Sequence, residues 1–282
     1  MSMMVNCLNK TQDIKHLSSV QYSFIDKLLA RWNLYTYSEP EIDIHNVGIK
    51  HLDLIGDEKI FEAGCGNGQV LLKLRRNSHF GDLVGIDINQ NIFDTAYNAQ
   101  IRENLLPIKF IVGSADDLPF PDNSFDVVLA FFMLYHMPDI NKTLSEWKRI
   151  LKPNGKFLIA TASFENKPKH KNFKRKIENI IEGSNSPQLS YFFNLENAEG
   201  YLKKYFRVVD RFVYQGKIKI KEPYPYLMAL DSIKDMFSPT PSSLQWDKAR
   251  NIIKEAIQKE IKENGYFTDA VKRGFFICEN IK

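Results

Sequence analysis

Cysteine is scarce. Three residues in 282, Cys7, Cys65 and Cys278, are too few, too far apart and odd in number to frame disulfides or pair as metal ligands. That excludes a stapled secreted module and fits a reducing compartment. Long apolar runs are missing as well. The longest, VVLAFFMLY at 127–135, has about half the length a bilayer-spanning helix needs. The opening MSMMVNCLNKTQD has no basic segment followed by an apolar stretch, so no secretion signal is expected. Nor is there an excess of one charge. Thirty-eight Lys and Arg against 34 Asp and Glu give +4, which permits an anionic partner without demanding one. With no internal repeat and no low-complexity linker, the expectation is a soluble, cytoplasmic chain folded as one domain.

What is present is the composition of a globular protein, 44% hydrophobic and 26% charged. Strand candidates at Lys59–Ala63, Asp82–Ile86, Ile108–Val112, Phe125–Ala130 and Gly155–Ala160 alternate with helical stretches near 67–76, 90–103 and 139–151. Strands as apolar as FDVVLA suit a parallel sheet covered on both faces. Right-handed crossovers then make it doubly wound. Ahead of this core, 18–37 reads as an amphipathic aromatic segment with Phe24, Leu28, Leu29 and Trp32 on one face. SEPE at 38–41 reads as a helix start, with Ser38 as N-cap, Glu41 in the capping-box position and the helix reaching Leu54. Beyond Thr161 come a basic stretch merging into a helix (165–181), a helix near 195–204 capped by Asn194 and a strand at Phe206–Tyr214. Helices follow over 223–264, the last from Leu244 to Asn264, and GFFIC at 274–278 closes the chain as a strand. The single domain 1–282 thus divides into a helical N-terminal cap (1–54), a core (55–161) and a C-terminal half with a helical insertion and closing strands (162–282).

IFEAGCGNG at 60–68 carries the chemistry. Three glycines in five positions between a strand and a helix let the backbone turn sharply and lie against a ligand. Either a dinucleotide or S-adenosyl-L-methionine fits such a turn. The glycines at 64, 66 and 68 place the third one position early for the dinucleotide pattern G-x-G-x-x-G. Glu62, just ahead, would repel a pyrophosphate and suits a ligand with an ammonium and a sulfonium. Asp87, ending the second strand about twenty residues on, can take both ribose hydroxyls of either ligand.

In these residues the chain resembles the class I S-adenosylmethionine-dependent methyltransferases, of the ubiquinone/menaquinone-biosynthesis-like kind. FEAGCGNG is similar to their first motif and GIDIN to their second. GSADDLPFPDNSFDVVLA (113–130) and LYHMPDINKTLSEWKRILKPNGKFLIAT (134–161) are similar to the segments that follow. The resemblance implies a Rossmann-like seven-stranded α/β sheet of order 3-2-1-4-5-7-6, strand 7 antiparallel, with helical cap additions. It implies Glu62 near the methionine ammonium, the backbone at Gly64 and Gly66 along the cofactor, Asp87 on the ribose and Ile88 on the adenine. Phe131 would meet the methionine portion, and Ala115 would offer its N–H to the ring. Where many relatives carry an aspartate on the adenine amine this chain has Ser114, which weakens that contact or passes it to Asp116.

His136 follows the fourth strand, at the edge where open α/β sheets bind ligands. It is either a general base or a histidine hydrogen-bonded to backbone or cofactor. Arg31 either reaches the cofactor carboxylate, as in relatives, or is solvated. Tyr22, Trp32, Tyr35, Tyr37, Tyr224 and Tyr226 line an acceptor lid or belong to the core. KPKHKNFKRK (167–176) holds six cations and reads first as a solvated helix start, with an RNA or membrane patch as the alternative. The expected function is methyl transfer to a nucleophilic nitrogen or oxygen of a small-molecule acceptor, a specialised metabolite or small modified peptide. No metal, nucleic acid or membrane is expected to take part. The rivals are a methyltransferase of RNA or protein and a non-catalytic cofactor- or dinucleotide-binding protein.

Overall fold

A computed structural model describes residues 25–181, 183–186 and 188–280. Cys7, Tyr22, Phe24 and the start of the expected aromatic segment at Ser18 lie outside the described residues. The first described helix, α1, is Ile25–Asn33, continued by a 3₁₀ turn at Leu34–Tyr37. Ser38–Glu39 then form a short strand, β1, and helix α2 is Ile44–Lys50. The expected cap at Ser38 is therefore corrected. Pro40 holds the residue before it extended, and Asp43 is the N-cap, its carboxylate accepting from the Asn46 N–H at 3.0 Å. The core runs β2 Ile60–Ala63, α3 Gln69–Arg76, β3 Leu83–Asp87, α4 Asp94–Glu103, β4 Lys109–Val112, β5 Phe125–Phe131, α5 Ile140–Ile150 and β6 Leu151–Ala162. After it come α6 Pro168–Ile180, the short α7 Ala198–Leu202, β7 Arg207–Ile220, α8 Tyr224–Asp231, α9 Ser243–Asn264 and β8 Phe267–Glu279.

The described residues fall into two compact units. One holds 43–164, 189–213 and 273–280 and contains the parallel core. β2 pairs in parallel with β3 and β5, β3 with β4 and β5 with β6, while the end of β8 runs antiparallel to β6. With the first half of β7 beside β8, the strands in space follow β7-β8-β6-β5-β2-β3-β4. Phe61, Phe125, Trp147, Phe157, Phe206 and Phe276 are wholly buried between sheet and helices. α5 shows why: Ile140, Leu144, Trp147 and Ile150 recur on one face, and the Trp147 indole N–H donates to the Ala115 carbonyl at 2.8 Å. This packing fixes the loops at the carboxyl ends of β2 to β5.

The other unit holds 25–42, 165–186 with 188, and 214–272. Here the second half of β7 pairs with β1, Ser38 opposite Ile218, so the sheet gains an eighth, two-residue strand beyond the seven expected. β7 is longer than expected because KIKI alternates, with Ile218 and Ile220 buried and the lysines outward. α9 begins with a reciprocal capping box between Ser242 and Gln245 and ends at Gly265 in the left-handed region, φ 81°. Its buried stripe is Trp246, Ala249, Ile253 and Ile257. Ile252, beside that stripe, stays exposed. Asn194, expected to cap a helix near 195, accepts the N–H groups of Glu196 and Asn197 at its Oδ1 and the Ala198 N–H at its carbonyl, the geometry of a cap, with α7 itself beginning at Ala198.

Candidate active site

The loops after β2, β3, β4 and β5 gather at one edge of the sheet, and most of the expected site residues lie there. Gly64, Gly66 and Gly68 have φ of 63°, 54° and 70°, a region that L side chains rarely adopt. Space excludes side chains too. A Cβ on Gly64 would stand 3.0 Å from Met133, and one on Gly68 2.7 Å from the Phe110 ring. Asp87 ties the turn down: its Oδ2 accepts the Gly66 N–H at 2.9 Å and its Oδ1 the Asn89 N–H at 3.1 Å. The carboxylate expected to hold a ribose thus also buttresses the glycine turn. Each oxygen keeps a second lone pair for a ligand. Burial raises the Asp87 carboxyl above the usual range against the pull of these N–H bonds.

Glu62 is the electrostatic centre of this edge. It is 2% exposed, and its Oε2 has no hydrogen-bond partner. Burial first, then the nearby Asp87 charge, pushes it well above the carboxylate range. A buried, unsatisfied acid oxygen costs free energy unless a donor or cation meets it. The ammonium of a bound methionine moiety would supply both. Asn67, not singled out from the sequence, is likewise buried with an unpartnered Oδ1. A polar residue between two turn glycines was the available signal. Cys65 is no nucleophile. Burial raises its thiol well above the ordinary value, and its Sγ occupies the space that a Cβ on Gly85 would need.

The Ser114 hydroxyl donates to Asp116 Oδ1, and Lys142 reaches Asp116 Oδ2 at 3.2 Å. Burial works against ionisation of Asp116, but these two bonds outweigh it and hold the carboxyl below its ordinary value. Ala115 is buried, and Ile88 is half-buried beside Asp87. Phe131 ends β5 nearly buried, its ring 4.7 Å from that of His45 on α2. His136 is half-buried in the 3₁₀ turn after β5, its N–H bonded to the Met133 carbonyl at 2.9 Å and its ring beside Tyr135. Arg31 is the exception: it sits on α1, in the other unit. Among the described residues no group of His, Cys, Asp and Glu could hold a metal, and no helix is long and apolar enough to cross a membrane.

Comparison with known proteins bears on the same residues. Positions 61–159 match the family model described as a methyltransferase domain. The ubiquinone/menaquinone biosynthesis C-methyltransferase UbiE of Rickettsia prowazekii is 40% identical over 107 residues, which are 36% of this chain and 43% of that protein. The chain therefore matches less than half the length of that relative. Among solved structures, YcgJ of Bacillus subtilis superposes with a TM-score of 0.56 at 16% identity, over 84% of this chain and 98% of that one. Phosphoethanolamine N-methyltransferase 2 of Haemonchus contortus, in complex with phosphomonomethylethanolamine and S-adenosylhomocysteine, gives 0.58 at 20% identity, over 96% and 60%. At such identities the likeness is one of fold. Residues 61–159 are a methyltransferase domain, and the unit that holds them has the Rossmann-like α/β fold of the S-adenosylmethionine-dependent methyltransferases.

Proposed function

We propose that this chain transfers a methyl group from S-adenosyl-L-methionine to a nucleophilic nitrogen or oxygen of a small-molecule acceptor. The observation that carries the donor is Glu62, an unsatisfied acid buried beside the Asp87-anchored glycine turn. Bound there, the cofactor supplies a methyl on a cationic sulfur, open to in-line displacement. Glu62 binds its ammonium, Asp87 its ribose hydroxyls, and the backbone at Gly64 and Gly66 lies against it. Ile88 and Ala115 flank the adenine, with Ser114 and Asp116 at its amine, and Phe131 closes the methionine end. His136, at the same edge, takes the acceptor's proton as the new bond forms. The polypeptide's other task is to align acceptor and donor and exclude water.

A small acceptor is favoured over RNA because cations of the basic run are engaged within the protein. Lys169 pairs with Glu260 at 2.6 Å, and Lys176 lies over the Phe173 ring. The Rickettsia relatives are named C-methyltransferases, but the match to them spans about the length of the donor-binding domain, and their acceptor is not carried over. Calorimetry with S-adenosylhomocysteine tests the reading. Asp87→Ala weakens binding by about 1.5–3 kcal/mol, the scale of hydrogen bonds involving a charged group, and Gly66→Val abolishes it. His136→Ala keeps the affinity while turnover, measured with labelled methyl donor on metabolite fractions, falls roughly 10²–10⁴-fold. Binding by both cofactor-site variants at the parent's strength would refute the donor assignment.

A further inference from the structure

The loop after β4 carries a chain of hydrogen bonds that fixes what it can offer a ligand. Val112 stands opposite Asp87 in the parallel pairing, and the Gly113 N–H donates to the Asp87 carbonyl at 3.0 Å. The chain therefore leaves β4 one strand spacing, about 4.8 Å, from Asp87, and Ser114 follows directly after Gly113. The next residue, Ala115, is held from the core side: it is buried, and its carbonyl accepts the Trp147 indole N–H at 2.8 Å. With a ribose on Asp87, the attached base meets this segment.

What Ser114 presents to the base depends on where its hydroxyl proton goes. The hydroxyl donates to Asp116 Oδ1, and Asp116 Oδ2 accepts from the Lys142 ammonium at 3.2 Å. An ionised carboxylate only accepts, an ammonium only donates, and a hydroxyl has one proton and two lone pairs. Burial opposes ionisation of Asp116, yet these two bonds hold the carboxyl below its ordinary value. The one proton between Ser114 and Asp116 is then the serine's own, and it is committed to Asp116. Toward a ligand the Ser114 oxygen has lone pairs alone. It can accept from the amine of adenine. A carbonyl oxygen at the same ring position would face it with no proton between them, and at a half-buried residue that leaves both oxygens unpaired.

We propose that Ser114 selects a purine bearing an amine over one bearing a carbonyl at that position, and that Asp116 and Lys142 are the residues that position its proton. The proposal rests on the donor reading above and deepens it. Calorimetry on the full-length protein with S-adenosylhomocysteine and with S-inosylhomocysteine, in which a carbonyl replaces the amine, gives the preference as a ratio of dissociation constants. The parent prefers S-adenosylhomocysteine, and Asp116→Asn cuts the ratio about tenfold or more, the scale of one hydrogen bond. Lys142 only donates, so it holds the amide oxygen of that variant, and the amide N–H then donates to Ser114. The serine proton is released toward the ligand. A contact of the Ala115 N–H with the ring is common to parent and variant and cancels in the comparison. Adding Lys142→Met lets the amide turn its oxygen to Ser114, and the ratio recovers toward the parent's. The double variant has no charge at 116 either, so recovery separates the direction of the proton from the lost charge. Ser114→Ala lowers the ratio by removing the acceptor itself. Circular dichroism checks each fold, and if Asp116→Asn is unfolded Ser114→Ala decides. A parent that binds S-adenosylhomocysteine without preference, a ratio unchanged in the deciding variant, or no recovery in the double variant would overturn this inference and leave the donor reading standing. Binding of neither ligand by the parent overturns both.

Discussion

Glu62 separates stability from function at a single residue. Its carboxyl is raised, so the folded state favours the protonated form. The associated stability is fully present below 4.5, the ordinary glutamate value, and is lost as pH rises through the folded value. Glu62→Gln removes this loss. The variant should unfold at a higher temperature than the parent at neutral pH, match it near pH 4, and no longer bind S-adenosylhomocysteine. Thermal scans from pH 4 to 8 with calorimetry decide this, and a variant that loses stability at neutral pH would show Glu62 to be a structural acid. Glu62, the glycines and Asp87 are legible in the sequence because their chemistry lies within one short motif. Met133 against Gly64, and Trp147 against Ala115, are not, because chain segments far apart supply each partner. Ser114 could be read as a departure from relatives, but its bond to Asp116 and the grip of Lys142 needed the fold.

At the scale of elements, local signals were reliable where one of them acted alone. Asp139 caps α5, accepting the Lys142 N–H at 2.9 Å, and the asparagine–glycine pair at 264–265 stops α9, both as the sequence suggests. They misled where two competed. SEPE has the form of a capping box, yet Pro40 keeps Glu39 extended and lets Ser38 join β7 as a strand residue. The two serines therefore respond differently to alanine. Ser242 caps α9, and Ser242→Ala should cost about 1 kcal/mol, within the roughly 0.5–2 kcal/mol known for such caps. Ser38 is buried with its hydroxyl unpartnered, so Ser38→Ala removes an unsatisfied group and should leave stability equal or higher. Urea midpoints of both variants, measured side by side, test the pair. A loss at Ser38 as large as that at Ser242 would restore the capping role.

For the whole molecule, the sequence gives no sign of two units because the helical one is assembled from three separate stretches, none joined by a linker of distinctive composition. The core could be read because alternating strands and helices form it almost continuously from residue 59 to residue 162. The division makes a prediction about where a bound cofactor acts. A ligand that binds only the folded state stabilises it by about 2.7 kcal/mol when present at a hundred times its dissociation constant. That energy appears first as slower opening of the elements that touch the ligand. The residues proposed to hold the cofactor all lie in the unit containing the parallel core. Hydrogen exchange with saturating S-adenosylhomocysteine should therefore show protection concentrated in 60–68, 84–89, 113–116 and 131–137. The helices α8 and α9 should exchange as they do without it. The stretch 25–33 discriminates between two roles for Arg31. If Arg31 serves only the helical unit, its helix gains no protection from S-adenosylhomocysteine. Protection of 25–33 by S-adenosylhomocysteine would return Arg31 to the cofactor carboxylate, the role that resemblance alone suggested for it.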